Sequence, residues 1–189
     1  MALSKIDAAN FLNGTIPSGN ITTASLAAAA TGKVLQVVST TKTDTFSESI
    51  SSRAVGGNVT GLAATITPTS ASSKLLVLAS INTARSGDSA SPGFTFYRDG
   101  SAILVGDSAS SRTLTTTGIG GARGGDDSNN GSIIFLDSPS STSETTYKVQ
   151  ATDRDTGGGT FYLNRGSTDG DSSNKSRGTS NIILMEVLA

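Results

Sequence analysis

The carboxyl-terminal nine residues, 181–189, are the most apolar stretch of a chain that is otherwise polar. Alternate side chains of a strand point to opposite faces. Both faces of this segment are then apolar, with Ile182, Leu184 and Leu188 on one and Ile183, Met185 and Val187 on the other. A strand that is apolar on both faces is covered on both sides. We therefore expect the fold to close around this segment and to hold the carboxyl end in place, leaving the amino end free.

Serine and threonine together supply 56 of the 189 residues, whereas charged residues make up only 15%. An ordinary soluble domain has about 25% charged residues. The surface of this protein is therefore solvated largely by hydroxyl groups and turns. Such a composition favours short strands and many loops over helices, and the length suits one domain with an appendage.

The chain contains no histidine, cysteine or tryptophan. The commonest general base, the usual zinc ligands and the thiol nucleophile are thus missing, and we expect no catalytic, metal or cofactor site.

A net charge of −1 without a basic run argues against a nucleic-acid partner. No apolar run approaches the roughly 18 residues that a membrane span requires, and residues 1–7 lack the apolar core of a signal peptide.

Residues 1–31 differ from the rest of the chain because their apolar side chains follow no steady period. We interpret this segment as an extended arm that docks on another molecule, with a floppy tail as the alternative. The apolar anchors of the arm are Ile6, Phe11, Leu12 and Ile16. Residues 32–189 form the second unit, a β domain.

From Gly32 onward the pattern has a period of two, which indicates strands. Asp99-Gly100 lies between two such segments and favours a two-residue type I′ hairpin, because both residues adopt positive φ there. Eight to ten short strands without an ordinary helix predict an all-β sandwich, and a jelly roll fits best. The eleven candidate segments for these strands are 33–39, 44–49 (short), 58–67, 74–81, 93–98, 101–105, 112–117 (weak), 132–136, 145–151, 160–164 and the terminal segment. Polar loops are predicted at 86–92, 118–131 and 168–179.

Segments 74–81 and 181–189 carry more apolar side chains than one sheet face can bury. A two-layer sandwich has only two inner faces, so the surplus predicts a further buried face. We expect oligomerisation to supply it, with the arm or a long loop as the alternative cover. The predicted subunit interface consists of Ile183, Met185 and Val187.

Two motifs bear on chemistry. Residues 169–174 resemble the start of a calcium loop, but they lack its central glycine and its final glutamate, which favours a solvated turn. Glu186 interrupts the apolar terminal strand, where a carboxyl with a raised pKa would suit a general acid. We favour instead that Glu186 points outward or pairs with an arginine such as Arg98 or Arg112.

Residues 3–21, LSKIDAANFLNGTIPSGNI, are similar to segments of fibre and virion structural proteins of tailed bacteriophages. Residues 32–46, GKVLQVVSTTKTDTF, resemble a recurrent phage virion domain that is frequent in phages of aquatic bacteria. Further matching segments are Thr-Gly-Leu at 60–62, Pro-Thr-Ser at 68–70, Ser-Lys-Leu-Leu-Val at 73–77, Phe-Tyr-Arg-Asp-Gly at 96–100 and Ile-Leu-Met-Glu-Val at 183–187.

The resemblance implies a trimeric jelly-roll protein of the virion, made in the cytoplasm of the host bacterium. The arm would attach to the major capsid protein or another virion protein, and the sandwich would project outward. The absence of a fibrous shaft favours a homotrimeric capsid decoration, or cement, protein. The alternatives are a tail-fibre or receptor-binding head that contacts a host surface glycan through its loops and, more remotely, a glycan-processing enzyme.

Overall fold

The computed structural model describes residues 33–86, 93–118, 128–154 and 157–188. These described residues form eleven strands and no helix, and all but Lys33 belong to the compact unit Val34–Ala189. No helix that could cross a membrane occurs within these ranges. The predicted anchors Ile6, Phe11, Leu12 and Ile16 lie outside the described residues, as does most of the predicted loops 86–92 and 118–131.

The strands form two sheets in which every neighbouring pair is antiparallel. The first sheet contains β1 (Val34–Lys42), β2 (Phe46–Ile50), β4 (Lys74–Arg85), β8 (Asn129–Asp137), β10 (Gly159–Leu163) and β11 (Ser180–Val187). The second sheet contains β3 (Val55–Ile66), β5 (Gly93–Arg98), β6 (Ser101–Ile103), β7 (Thr117–Gly118) and β9 (Thr145–Thr152).

The strand order is that of a jelly roll. The first sheet runs β1-β11-β4-β8 and the second runs β3-β9-β5-β6. If these eight strands are counted along the chain, the orders are 1-8-3-6 and 2-7-4-5, so that the chain crosses between the layers except at the β5–β6 hairpin and forms two Greek keys. The predicted all-β, jelly-roll-like sandwich is therefore confirmed.

The core lies between the two sheets and is built from alternate residues of each strand. In β4, Leu75, Val77, Ala79 and Ile81 are buried in the core, and Leu76, Leu78 and Ser80 between them face the other way. The second sheet contributes aromatic rings, of which Phe96 packs edge-on against Phe135 of β8, with 6.0 Å between ring centroids. The regular alternation explains why the period of two in the sequence predicts these strands.

One edge of β4 is shared by two strands, because β11 pairs with residues 74–80 and β10 with residues 83–85. Asn164, fully buried with φ of 61°, ends β10 at this junction. Its Nδ2 donates to the carbonyl oxygens of Lys42 and Asp44, each at 2.9 Å, and its Oδ1 accepts from Ser180 Oγ at 2.7 Å. The side chain thus satisfies backbone groups that the split in the sheet leaves without strand partners.

The predicted type I′ hairpin is confirmed, since Asp99 has φ of 48° and Gly100 has φ of 87°. The strand after it is shorter than predicted: β6 ends at Ile103, because Leu104 takes a positive φ of 52°. A positive φ turns the chain away from the extended conformation that a strand requires.

Several other predicted boundaries also differ from the structure; the strand predicted at 74–81, for example, runs to Arg85. Of the predicted strand 112–117, only the last residue belongs to β7. The Phe96 amide of β5 donates to the side-chain oxygen Thr116 Oγ1 at 2.8 Å, so a side chain and not the backbone of this segment is its partner. The predicted loop 118–131 ends too late, because β8 begins at Asn129. Asn129 and Asn130 are polar, but they pair with Thr83 and Asn82 of the long strand β4.

Candidate functional site

The outer face of the first sheet, which points away from the second sheet, carries two rows of apolar side chains. Each row crosses β1, β11, β4 and β8 at positions that are direct strand partners. We call these two rows the outer apolar face. The first row is Val37, Met185, Leu76 and Leu136, and the second is Ile183, Leu78 and Ile134 together with Ser39.

The side chains at the two lateral strands of this face are the most exposed. Val37 on β1 is 55% exposed, and Ile134 and Leu136 on β8 are 72% and 57% exposed. The positions on β4 and β11 between them are half-buried. Single exposed apolar residues are ordinary, whereas a contiguous apolar patch marks a surface for interaction.

Neither row contains a charged side chain, and the face has a polar border. The next row along the strands consists of Thr41, Asn181, Ser80 and Ser132. At the opposite end, Lys74 on β4 pairs with Val187, and its Nζ donates to Ser138 Oγ at 2.8 Å. An apolar centre with a polar rim is the usual anatomy of a protein interface.

The structure brings the three predicted interface residues to one side of β11. Ile183 and Met185 lie within the two rows, and Val187 lies one position beyond them, beside Lys74. Their neighbours Ile182 and Leu184 face the core and are fully buried. The inner side of the terminal strand is therefore covered by the second sheet, while its outer side is half-buried in the single chain.

Sequence reasoning missed three members of this surface, namely Val37, Ile134 and Leu136. A signal for two of them was present, since the segment 132–136 has apolar residues at both alternating positions. Ile133 is buried on the inner side, so Ile134 and Leu136 face outward. A run of this kind predicts a strand but not which of its faces lacks a cover within the chain.

The structure contradicts both sequence interpretations of Glu186, because its side chain is buried in the sandwich and pairs with none of the arginines that the structure describes. Its Oε2 accepts from Gln36 Nε2 at 2.6 Å, and its Oε1 accepts from the Thr69 amide at 2.7 Å and from Thr69 Oγ1 at 2.8 Å. Burial alone would raise the pKa of Glu186, but these hydrogen bonds outweigh it and lower the pKa to about 2. A carboxylate that stays ionised at neutral pH has no proton to donate as a general acid.

The loop that resembles a calcium site holds its first aspartate in ion pairs. Asp169 accepts from Arg177 Nε at 3.0 Å and from Arg177 Nη2 at 2.6 Å, with Arg165 Nη1 at 4.0 Å. The hydrogen bonds from Arg177 lower the pKa of Asp169. Within the described ranges, no group of three acidic side chains is arranged to hold a metal ion. The guanidinium groups of Arg177 and Arg165 thus lie beside Asp169, where a bound metal ion would have to lie.

Comparison with known proteins yields similarities of fold. No family model matches the chain, and no curated protein matches it. Two solved structures that resemble it are those of the infectious bursal disease virus Gx strain (18% identity, TM-score 0.42) and of the infectious bursal disease virus VP2 subviral particle (16% identity, TM-score 0.39). Each alignment covers 82% of this chain, but only 36% and 38% of the viral chains, so this chain spans little more than a third of their length. The jelly-roll assignment rests on the strand order of the chain itself.

Proposed function

We propose that this protein is a virion structural protein, a homotrimeric decoration protein that reinforces a bacteriophage capsid. The observation that carries the proposal is the outer apolar face. On the first sheet, two adjoining rows of apolar side chains lie side by side with no charge among them. Such a surface supports association with a partner as the role of the domain.

A second copy of the chain is the partner that this surface suits best. Two surfaces that carry the same charge repel each other, whereas an uncharged apolar surface can pack against the same surface of a second copy. The exposed residues lie along the two lateral strands, with Val37 at one side and Ile134 and Leu136 at the other. Neighbouring subunits around a threefold axis can then bury different strands of the same face.

The attachment to the capsid is assigned to the arm, residues 1–31, through Ile6, Phe11, Leu12 and Ile16. This part of the proposal is supported by the resemblance of residues 3–21 to virion proteins of tailed phages. Three arms on one trimer bind together with higher affinity than one arm alone, because the second and third contacts form at high effective concentration.

The association state tests the role of the outer face. We expect the purified full-length chain to be a trimer in analytical ultracentrifugation and Ile134→Asp to be a monomer, since a charge at a buried apolar contact is costly. The matched control is Ser132→Asp, which places the same charge on the same side of β8 but in the polar row. A monomeric wild-type chain, or a trimeric Ile134→Asp variant, would contradict the proposal.

Particle binding tests the role of the arm. In the full-length chain, serine at all four anchor positions is expected to leave the trimer intact and to remove the protein from capsids, as seen by cryo-electron microscopy of reconstituted particles. If this protein is found at the tail tip and not on the shell, the fibre-head alternative is correct. Unchanged shell occupancy of the four-serine variant would show that the arm is not the anchor.

A further inference from the structure

Three arginines that are far apart in the sequence line one surface cleft. Arg53 lies in the turn between β2 and β3, Arg112 in the loop between β6 and β7, and Arg154 directly after β9. The cleft has a volume of about 370 Å³, and its other lining residues are Ser111 and Thr113. All five of these side chains carry hydrogen-bond donors, and among the described residues neither a carboxylate nor an aromatic ring lines the cleft.

Backbone contacts of the fold bring two of the three arginines, Arg53 and Arg154, together. The turn that holds Arg53 closes with a hydrogen bond from the Ala54 amide to the Ser51 carbonyl at 3.2 Å. The Ala54 carbonyl in turn accepts from the Asp153 amide at 2.9 Å, which fixes this turn beside the residue that precedes Arg154. The sequence shows only isolated arginines, because the contact between these segments is made by the tertiary structure.

A glycine leaves room for one of the guanidinium groups. The Arg154 side chain lies against Gly118 of β7, so that a Cβ at this position would stand 2.5 Å from Arg154 Cζ. Any larger residue would displace the guanidinium. The absence of a side chain at residue 118 thus leaves the space that the Arg154 guanidinium occupies.

The charges of this cleft are not neutralised by the described part of the protein. Arg85, Arg98 and Arg177 each form an ion pair with an aspartate. Arg53, Arg112 and Arg154, in contrast, have no ion pair or side-chain hydrogen bond within the residues that the structure describes. Three guanidinium groups at one place, in a chain with a net charge of −1, create a local attraction for anions.

We infer that this cleft binds the sulfate, phosphate or carboxylate groups of an acidic polysaccharide. Guanidinium groups pair with such oxyanions through two parallel N–H donors, and the hydroxyls of Ser111 and Thr113 add donors for sugar oxygens. Single-stranded nucleic acid fits less well, since the described lining residues include no ring on which a base can stack. The inference goes beyond the assembly role, and the cleft shares no residue with the outer apolar face.

Binding of heparin, a sulfated polysaccharide, to the full-length protein tests the inference by isothermal titration calorimetry at low salt. Neutral dextran is the comparison ligand. We expect the triple variant Arg53→Gln, Arg112→Gln, Arg154→Gln to bind heparin at least about tenfold more weakly than the wild-type chain, which corresponds to about 1.4 kcal/mol. The matched control, Lys33→Gln, Lys148→Gln, Lys175→Gln, removes the same charge elsewhere and is expected to keep wild-type affinity.

A second variant separates position from charge. Gly118→Ala leaves the net charge unchanged but displaces the Arg154 guanidinium, so heparin binding should also weaken. Circular dichroism shows whether each variant keeps the fold, and its association state shows whether it keeps the proposed assembly. A variant that keeps both but loses heparin binding has lost the function of the cleft and not the proposed function of the protein.

Three outcomes would overturn the inference. The first is an equal loss of affinity in the lysine control, which would indicate unspecific attraction by charge. The second is tighter binding of inorganic phosphate alone than of heparin, which would identify a site for a free anion. The third is tighter binding of an oligothymidine of equal charge, which would identify a nucleic-acid site.

Discussion

At the scale of single residues, Glu186 shows how a charge is accommodated inside a sandwich. Its side chain is fully buried on β11, and it receives donors from Gln36 of β1 and from Thr69 in the turn before β4. Gln36 Nε2 also donates to the Thr67 carbonyl at 2.7 Å. One carboxylate thus holds the β3–β4 turn against the edge of the first sheet, and a buried charge is stable only with such partners.

The pKa of Glu186 predicts how stability depends on acid. The carboxylate has a pKa of about 2 in the folded chain and 4.5 as its ordinary value. A lowered pKa stabilises the fold fully above pH 4.5, and this contribution is lost as the pH falls toward 2. We expect Glu186→Gln to lower the free energy of unfolding at pH 7 by about 2 kcal/mol and to flatten the pH dependence in this window.

Urea unfolding at several pH values between 2.5 and 7 measures this effect. Glu144→Gln is the control, because Glu144 is exposed in the loop before β9. If the two variants lose stability equally at pH 7, Glu186 does not hold the turn in the way that its hydrogen bonds indicate.

At the scale of elements, the two-residue turn between β5 and β6 was predictable from its own two residues. Asp99-Gly100 takes the two positive φ angles that the turn requires. Asp99 also joins the hairpin to β9, because its Oδ1 accepts from the Thr146 amide at 2.8 Å and its own amide donates to the Thr146 carbonyl at 3.0 Å. The local turn is encoded by local sequence, whereas its attachment to a strand 47 residues away is not.

Replacing the glycine of this turn isolates the cost of its backbone conformation. A Cβ on Gly100 would meet no atom within 4 Å, so Gly100→Ala adds only the strain of a positive φ. We expect a loss of about 1 kcal/mol in the free energy of unfolding. Gly106→Ala is the control, since its Cβ also meets no atom and its φ is not positive; it should be neutral or slightly stabilising. Equal effects in urea unfolding would contradict this interpretation.

At the scale of the whole molecule, a polar cluster ties the two sheets together at one end of the sandwich. Asp137, the last residue of β8 in the first sheet, accepts from Arg98 Nη1 at 2.9 and 2.7 Å and from Tyr147 Oη at 2.5 Å. Arg98 and Tyr147 belong to β5 and β9 of the second sheet. Burial, followed by the hydrogen bond to Asp137, raises the pKa of Tyr147, so its hydroxyl keeps the proton that it donates.

Removing the charge of Asp137 should therefore weaken the contact between the layers. We expect Asp137→Asn to lower the free energy of unfolding by about 2 kcal/mol, since hydrogen bonds to charged groups contribute about 1.5–3 kcal/mol. Asp169→Asn disrupts a pair whose arginine is 63% exposed, and it should lower the free energy of unfolding by less than Asp137→Asn does. Thermal and urea unfolding compare the two, and the reverse order would show that the cluster does not join the sheets.

The sequence by itself determined the class of fold, the hairpin and most of the strands, because alternation and turn residues act over a few positions. It also indicated, through a terminal segment that is apolar on both faces, that the sandwich has a surplus of apolar side chains. Only the tertiary structure decided where that surplus lies, because the outer apolar face joins residues from 37 to 185 through strand register. The direction of Glu186 and the gathering of three arginines in one cleft depend in the same way on which distant segments the jelly roll places side by side.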